Sequence, residues 1–160
     1  MELLARVNDK LILWVEDEYY HIKYLVKPLQ QAGYGILPAR SLTEAKTLVA
    51  KGTHIDLILL DLLIPYSENS TISPDIHVGD LHSPENLVRN GLDLLSYLVD
   101  DFHVTCPLVV LSIVEDDDVM NRVRAFGVSA VMPKRGLFPK QIRDKITEIL
   151  EVRNTDPAPE

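Results

Sequence analysis

The chain is poor in the residues that build disulfide frameworks, membrane spans and soft-metal sites. Its 160 residues include a single cysteine, Cys106. No internal disulfide can form, and the apolar setting of Cys106 between His103 and Val109 reads as a small core residue in a reducing compartment. No apolar run approaches the roughly 20 residues that a membrane helix needs. The opening residues carry Glu2, Arg6, Asp9 and Lys10 where a signal peptide would have an apolar core. These absences lead to the expectation of a cytoplasmic protein without membrane contact. Positive charge is also scarce: 16 Lys and Arg against 24 Asp and Glu give a formal net charge of -8. Such a field opposes nucleic-acid phosphates, so direct binding to DNA or RNA is not expected, whereas cations and proteins suit the surface better. No internal repeat is visible.

What is present suits one globular domain, with 46% hydrophobic and 25% charged residues. Apolar runs suited to buried strands occur at Leu11 to Val15, Ile55 to Leu60, Leu108 to Leu111 and Ser129 to Met132, with a weaker one at Tyr34 to Leu37. Helical spacing lies between them. Ile22, Leu25, Val26 and Leu29 form a first stripe, interrupted by Pro28 and ended by Gly33. Ser41-Leu42-Thr43-Glu44 is a capping box that starts a second helix with Leu42, Ala45, Leu48 and Val49 inward. Further stripes are Leu92, Leu95, Val99 and Phe102, then Val119, Val123 and Phe126, and last Ile142, Ile146, Ile149 and Leu150.

Five alternations of strand and helix imply a parallel sheet covered on both faces, since right-handed crossovers return each helix over the sheet. The expected fold class is therefore α/β, a flavodoxin-like (βα)5 three-layer sandwich whose five-stranded sheet has the order 2-1-3-4-5. The domain is expected to span residues 1–153. Within it, the polar stretch from about 66 to 89, with Pro74, Gly79 and Pro84, is too long for an ordinary loop and reads as an insertion. Residues 154–160, with two prolines, read as a disordered tail.

Under this topology, Glu16-Asp17-Glu18, Asp61, Ser112 and Lys134 all fall at the carboxyl ends of strands. Ligands of open α/β sheets bind at that rim, where the strand order reverses. Here the reversal lies between strands one and three, so Glu16, Asp17 and Asp61 should share a crevice. Three crowded carboxylates need a cation. An all-oxygen donor set with room for water and phosphate suits Mg²⁺, and no His or Cys set for Zn²⁺ accompanies it.

These residues resemble the receiver domains of two-component response regulators over nearly the whole chain. Leu11 to Glu18 looks like that family's first strand and acidic pair, and Asp56 to Pro65 like its third strand, phosphoacceptor aspartate and following proline. Pro107 to Ser112 resembles its fourth strand and switch hydroxyl, and Phe126 to Lys134 its fifth strand and lysine. The resemblance implies that Glu16, Asp17, Asp61 and the backbone carbonyl of Leu63 hold Mg²⁺. It also implies that Asp61 accepts the phosphoryl group while Ser112 and Lys134 contact it. The implied partners are a sensor histidine kinase or phosphotransfer protein and a downstream effector protein, and a homodimer is compatible with this reading. The module would signal as a phosphoprotein rather than turn over a substrate as an enzyme.

Three features depart from the family pattern. Ile113 stands where a small residue is usual, Val131 replaces the usual aromatic, and Pro133 precedes Lys134 where proline commonly follows. Singly, each polar residue has an ordinary explanation: Glu16 to Glu18 and Glu115 to Asp118 favour helix starts, Asp61 caps a turn, Ser112 satisfies a backbone group and Lys134 is solvated. Only their joint placement argues for a site. His77 and His82 have a spacing that suits a metal but read as loop histidines without a role. Of the competing classes, a pseudo-receiver that is not phosphorylated and only binds protein is permitted by Ile113 and Val131. A flavodoxin-like electron carrier is opposed by the acidic turn after strand one, which repels a cofactor phosphate. A haloacid-dehalogenase-type phosphatase lacks its second acid, because that position is Leu63.

Overall fold

A computed structural model describes residues 10–67 and 83–155. The five apolar runs form five parallel strands, β1 (Leu11–Val15), β2 (Gly35–Ala39), β3 (Leu57–Asp61), β4 (Leu108–Ser112) and β5 (Ala130–Pro133). They are hydrogen-bonded in the order β2-β1-β3-β4-β5, so the flavodoxin-like arrangement expected from the alternation is the one observed. Between the strands lie α1 (Lys23–Gln31), entered through a 3-10 turn at Tyr19–Ile22, and α2 (Leu42–Ala50). They are followed by α3 (Pro84–Ser96) with a π-helical turn at Tyr97–Asp101, α4 (Asp117–Ala125) and α5 (Pro139–Thr155).

Side chains alternate across each strand, and both faces of the sheet are covered. Leu13, Val15, Ile58, Leu60 and Val110 meet the inward faces of α2, α3 and α4 on one side. Ile12, Trp14, Leu57, Leu59, Val109 and Leu111 meet α1 and α5 on the other. Every residue of β3 and of β4 is buried, which is why these strands read as continuous apolar runs in the sequence. The two edge strands carry Pro38 and Pro133, each of which removes a backbone donor from a sheet edge.

Local signals act as the sequence indicates. Ser41 Oγ accepts from the Glu44 amide at 3.1 Å to start α2, and Glu44 Oε2 in turn accepts from the Arg40 amide at 3.2 Å. Gly33 takes a positive φ of 96° just beyond α1. The stripe of α3 is a correction: Leu92, Leu94, Leu95 and Leu98 are buried, whereas Phe102 is 43% exposed. The π-helical turn shifts the phase of the inward face, and Phe102 ends the helix with its ring 6.1 Å from that of Tyr97. His103 follows in the left-handed region at φ 57°.

Of the polar stretch read as an insertion, Pro84 to Arg89 form the first turns of α3, whereas His77 and His82 lie outside the described residues. Helix α5 continues to Thr155, two residues into the segment read as a tail. None of the described helices is long and apolar enough to cross a membrane.

Candidate functional site

The chain leaves β1 toward β2 on one side while β3 pairs on the other, which opens a crevice at the carboxyl ends of β1 and β3. Val15 lies beside Leu60 in the register, so the next residues, Glu16 and Asp61, face one another across that crevice. Glu16 and Asp61 are buried, at 1% and 4% exposure, while Asp17 faces solvent. A carboxylate oxygen from each of the three lies within 4.8 Å of the others. Lys134, just beyond β5, reaches into the same space: its Nζ donates to Glu16 Oε2 and to Asp61 Oδ2, both at 2.8 Å.

The other oxygens of the buried pair are held by backbone. Glu16 Oε1 accepts from the Glu18 amide at 3.2 Å, and Asp61 Oδ1 accepts from the Leu63 amide at 3.0 Å. One ammonium against three carboxylates leaves an excess of negative charge. Burial, followed by the Asp61 carboxylate, pushes the Glu16 carboxyl up to about 8. Partial burial of its carboxyl, followed by the neighbouring charges of Glu18 and Asp61, also raises Asp17 from its ordinary value. Burial works against the charge on Lys134, but its hydrogen bonds to Asp61 and Glu16 outweigh this and hold it above the ordinary lysine value. A divalent cation fits this donor set: the ligands are all oxygen, they carry excess negative charge, and exposed Asp17 leaves the cluster open to solvent.

Ser112, the last residue of β4, lies one register step beyond Leu111, the partner of Asp61. Its hydroxyl turns into its own loop, accepting from the Val114 amide at 2.8 Å and donating to the Val114 carbonyl at 3.3 Å. Ser112 also borders a groove of about 310 Å³ between the start of α4 and β5, walled by Ile113, Val114, Met120, Val131 and Met132. Ile113 is 40% exposed there. The structure thus gathers Glu16, Asp17, Asp61 and Lys134 in one crevice, with Leu63 in the adjoining turn and Ser112 beside it. Sequence reasoning did not single out Asn90 and Gly91, which pack α3 against the turn after Asp61. The available signal was a glycine inside an apolar helical pattern, a position that calls for a packing reason.

No protein-family model and no curated protein matches the chain. Solved structures do. The chemotaxis response regulator CheY4 of Vibrio cholerae superposes with a TM-score of 0.63 at 15% identity, over 89% of this chain and 99% of that one. A CheY-like response regulator receiver domain protein from Methanospirillum hungatei gives 0.69 at 17% identity, over 94% and 100%. The non-phosphorylated HemR receiver domain from Leptospira biflexa gives 0.66 at 21% identity, over 95% and 99%. Likenesses of this degree speak to fold, and the fold they identify is that of response-regulator receiver domains.

Proposed function

We propose that this chain is a signalling receiver that accepts a phosphoryl group on Asp61 and acts through protein contacts, without catalysing turnover of a substrate. The observation that carries the reading is the meeting of three carboxylates and one ammonium in a single crevice, with Lys134 Nζ 2.8 Å from both Glu16 and Asp61. In the proposed reaction, a carboxylate oxygen of Asp61 attacks the phosphorus of a phosphohistidine on a sensor kinase or phosphotransfer protein. The phosphorus–nitrogen bond breaks, imidazole leaves with its electron pair, and an acyl phosphate forms on Asp61.

Glu16, Asp17, Asp61 and the Leu63 carbonyl would hold Mg²⁺, which supplies positive charge to the equatorial oxygens when bound. Lys134 would follow a phosphoryl oxygen on Asp61, exchanging a carboxylate contact for a phosphate one. The Ser112 hydroxyl can leave Val114 for another phosphoryl oxygen, and this frees the amide that now anchors the turn into α4. A downstream effector protein would read that movement.

Intact-mass measurement after incubation with acetyl phosphate and Mg²⁺ tests the reading. One base-labile phosphoryl adduct is expected on the wild type and none on Asp61→Asn. An adduct that persists in the variant would overturn the assignment of Asp61. Absence of an adduct with every small donor and every histidine phosphodonor would leave a receiver-shaped module that only binds protein.

A further inference from the structure

The turn that follows β3, from Leu62 to Tyr66, has no regular structure, yet Leu62, Ile64 and Pro65 are buried. Buried irregular backbone needs partners from outside the segment, and here they come from three elements. The Leu62 amide donates to the Leu111 carbonyl of β4 at 3.2 Å, and the Pro65 and Tyr66 carbonyls accept from the Leu42 and Thr43 amides at the start of α2, both at 3.0 Å. Helix α3 supplies the rest. The Ile64 amide donates to the Leu87 carbonyl at 3.4 Å, and the Ile64 carbonyl accepts from Asn90 Nδ2 at 3.0 Å. Next to Asn90, Gly91 lies directly against the Leu62 carbonyl. A Cβ at position 91 would overlap that oxygen and sit 2.8 Å from its carbon.

We infer that Asn90 and Gly91 are positioning residues that set the direction of the Asp61 carboxylate and the shape of the cation site. Their significance rests on the phosphoacceptor reading of Asp61 given above. The chain of contacts is short. Gly91 lets α3 close on Leu62, Asn90 holds Ile64, and Leu63 between them donates its amide to Asp61 Oδ1 at 3.0 Å. This bond leaves Oδ2 toward Lys134 and the cation side. A displacement of the turn would rotate the carboxylate and move the Leu63 carbonyl together. The glycine is required because the helix backbone and the turn carbonyl occupy neighbouring space that any side chain would fill.

The test measures Mg²⁺ binding by calorimetry, the rate of adduct formation from acetyl phosphate, and the melting temperature without Mg²⁺. Asn90→Ala should bind Mg²⁺ about three- to tenfold more weakly, the scale of one hydrogen bond, and form the adduct more slowly. Gly91→Ala should lose more in both. Val49→Ala, which truncates a buried residue of α2 away from the turn, is the control: it should lower the melting temperature while leaving Mg²⁺ affinity unchanged. If Gly91→Ala does not fold, Asn90→Ala and the control carry the test. Wild-type Mg²⁺ affinity in Asn90→Ala, or an equal loss in Val49→Ala, would overturn the positioning role. Failure of the wild type to form an adduct would instead count against the phosphoacceptor reading, and the Mg²⁺ arm would still judge Asn90.

Discussion

Glu16 places a carboxyl at 1% exposure opposite the Asp61 carboxylate, with Lys134 as their shared counter-charge. Its value of about 8 in the folded protein, against an ordinary 4.5, has a direct consequence for stability. Between those two values the folded chain retains a proton that the unfolded chain has released, so stability falls as pH rises through that window. Without Mg²⁺, the melting temperature is expected to drop from pH 5 to pH 8, and Glu16→Gln should remove much of that slope. Mg²⁺ must displace the proton, so saturating Mg²⁺ should raise the melting temperature more at pH 8 than at pH 5. An equal increment at both values would show that Glu16 is not the group involved. Lys134→Met makes the complementary case. Breaking a fully buried ion pair costs about 3–5 kcal/mol, and less is expected here because Lys134 is 21% exposed. Urea unfolding should show a larger loss at pH 8 than at pH 5, where the abandoned carboxyls can take up protons.

At the scale of single elements, the end of α3 departs from regular α-helical geometry. The π-helical turn at Tyr97–Asp101 runs into His103, which alone among the described non-glycine residues has a positive φ, at 57°. The left-handed conformation costs an L-residue about 1–2 kcal/mol, a penalty that glycine escapes. His103→Gly should therefore stabilise the protein by up to about 1 kcal/mol once the greater backbone entropy of unfolded glycine is set against the relief, as read by urea denaturation. A loss of stability would mean that the imidazole makes a stronger contribution than its backbone geometry costs. The same region shows why sequence patterning has limits. The strand run Leu11 to Val15 and the Ser41 cap were legible because burial on both faces and a local hydrogen bond leave residue-level signatures. The phase of α3 was not, because a π-helical turn adds a residue without changing composition, and the regular spacing that points to Phe102 as inward no longer applies. The Asn90 and Gly91 contacts were hidden for another reason: they join positions 26 to 29 residues apart in the chain, and only the tertiary approach of α3 to the turn reveals them.

At the scale of the whole molecule, the strand order does most of the work of assembling the site. Once the order 2-1-3-4-5 was inferred, the convergence of Glu16, Asp17 and Asp61 followed, because strands one and three are neighbours and their carboxyl ends share a rim. The Ser112 hydroxyl bond to Val114 did not follow, since it depends on one rotamer in one loop. The net charge of -8 adds a field that acts on the crevice from beyond its own residues. Such a field would favour the approach of a divalent cation and oppose that of an anionic phosphodonor. Salt separates the two effects. The screening length falls from about 10 Å at 0.1 M to about 3 Å at 1 M, but salt screens buried charges much less than exposed ones, and Glu16 and Asp61 are buried. Rising NaCl should therefore weaken Mg²⁺ binding several-fold without abolishing it, because the two buried carboxylates stay largely unscreened. At saturating Mg²⁺, the same salt should speed adduct formation from acetyl phosphate, because the remaining effect is relief of repulsion. A rate that falls with salt under saturating Mg²⁺ would show that the donor meets a locally positive entrance, set by Lys134 and the bound ion, and that the overall charge of the chain does not govern its approach.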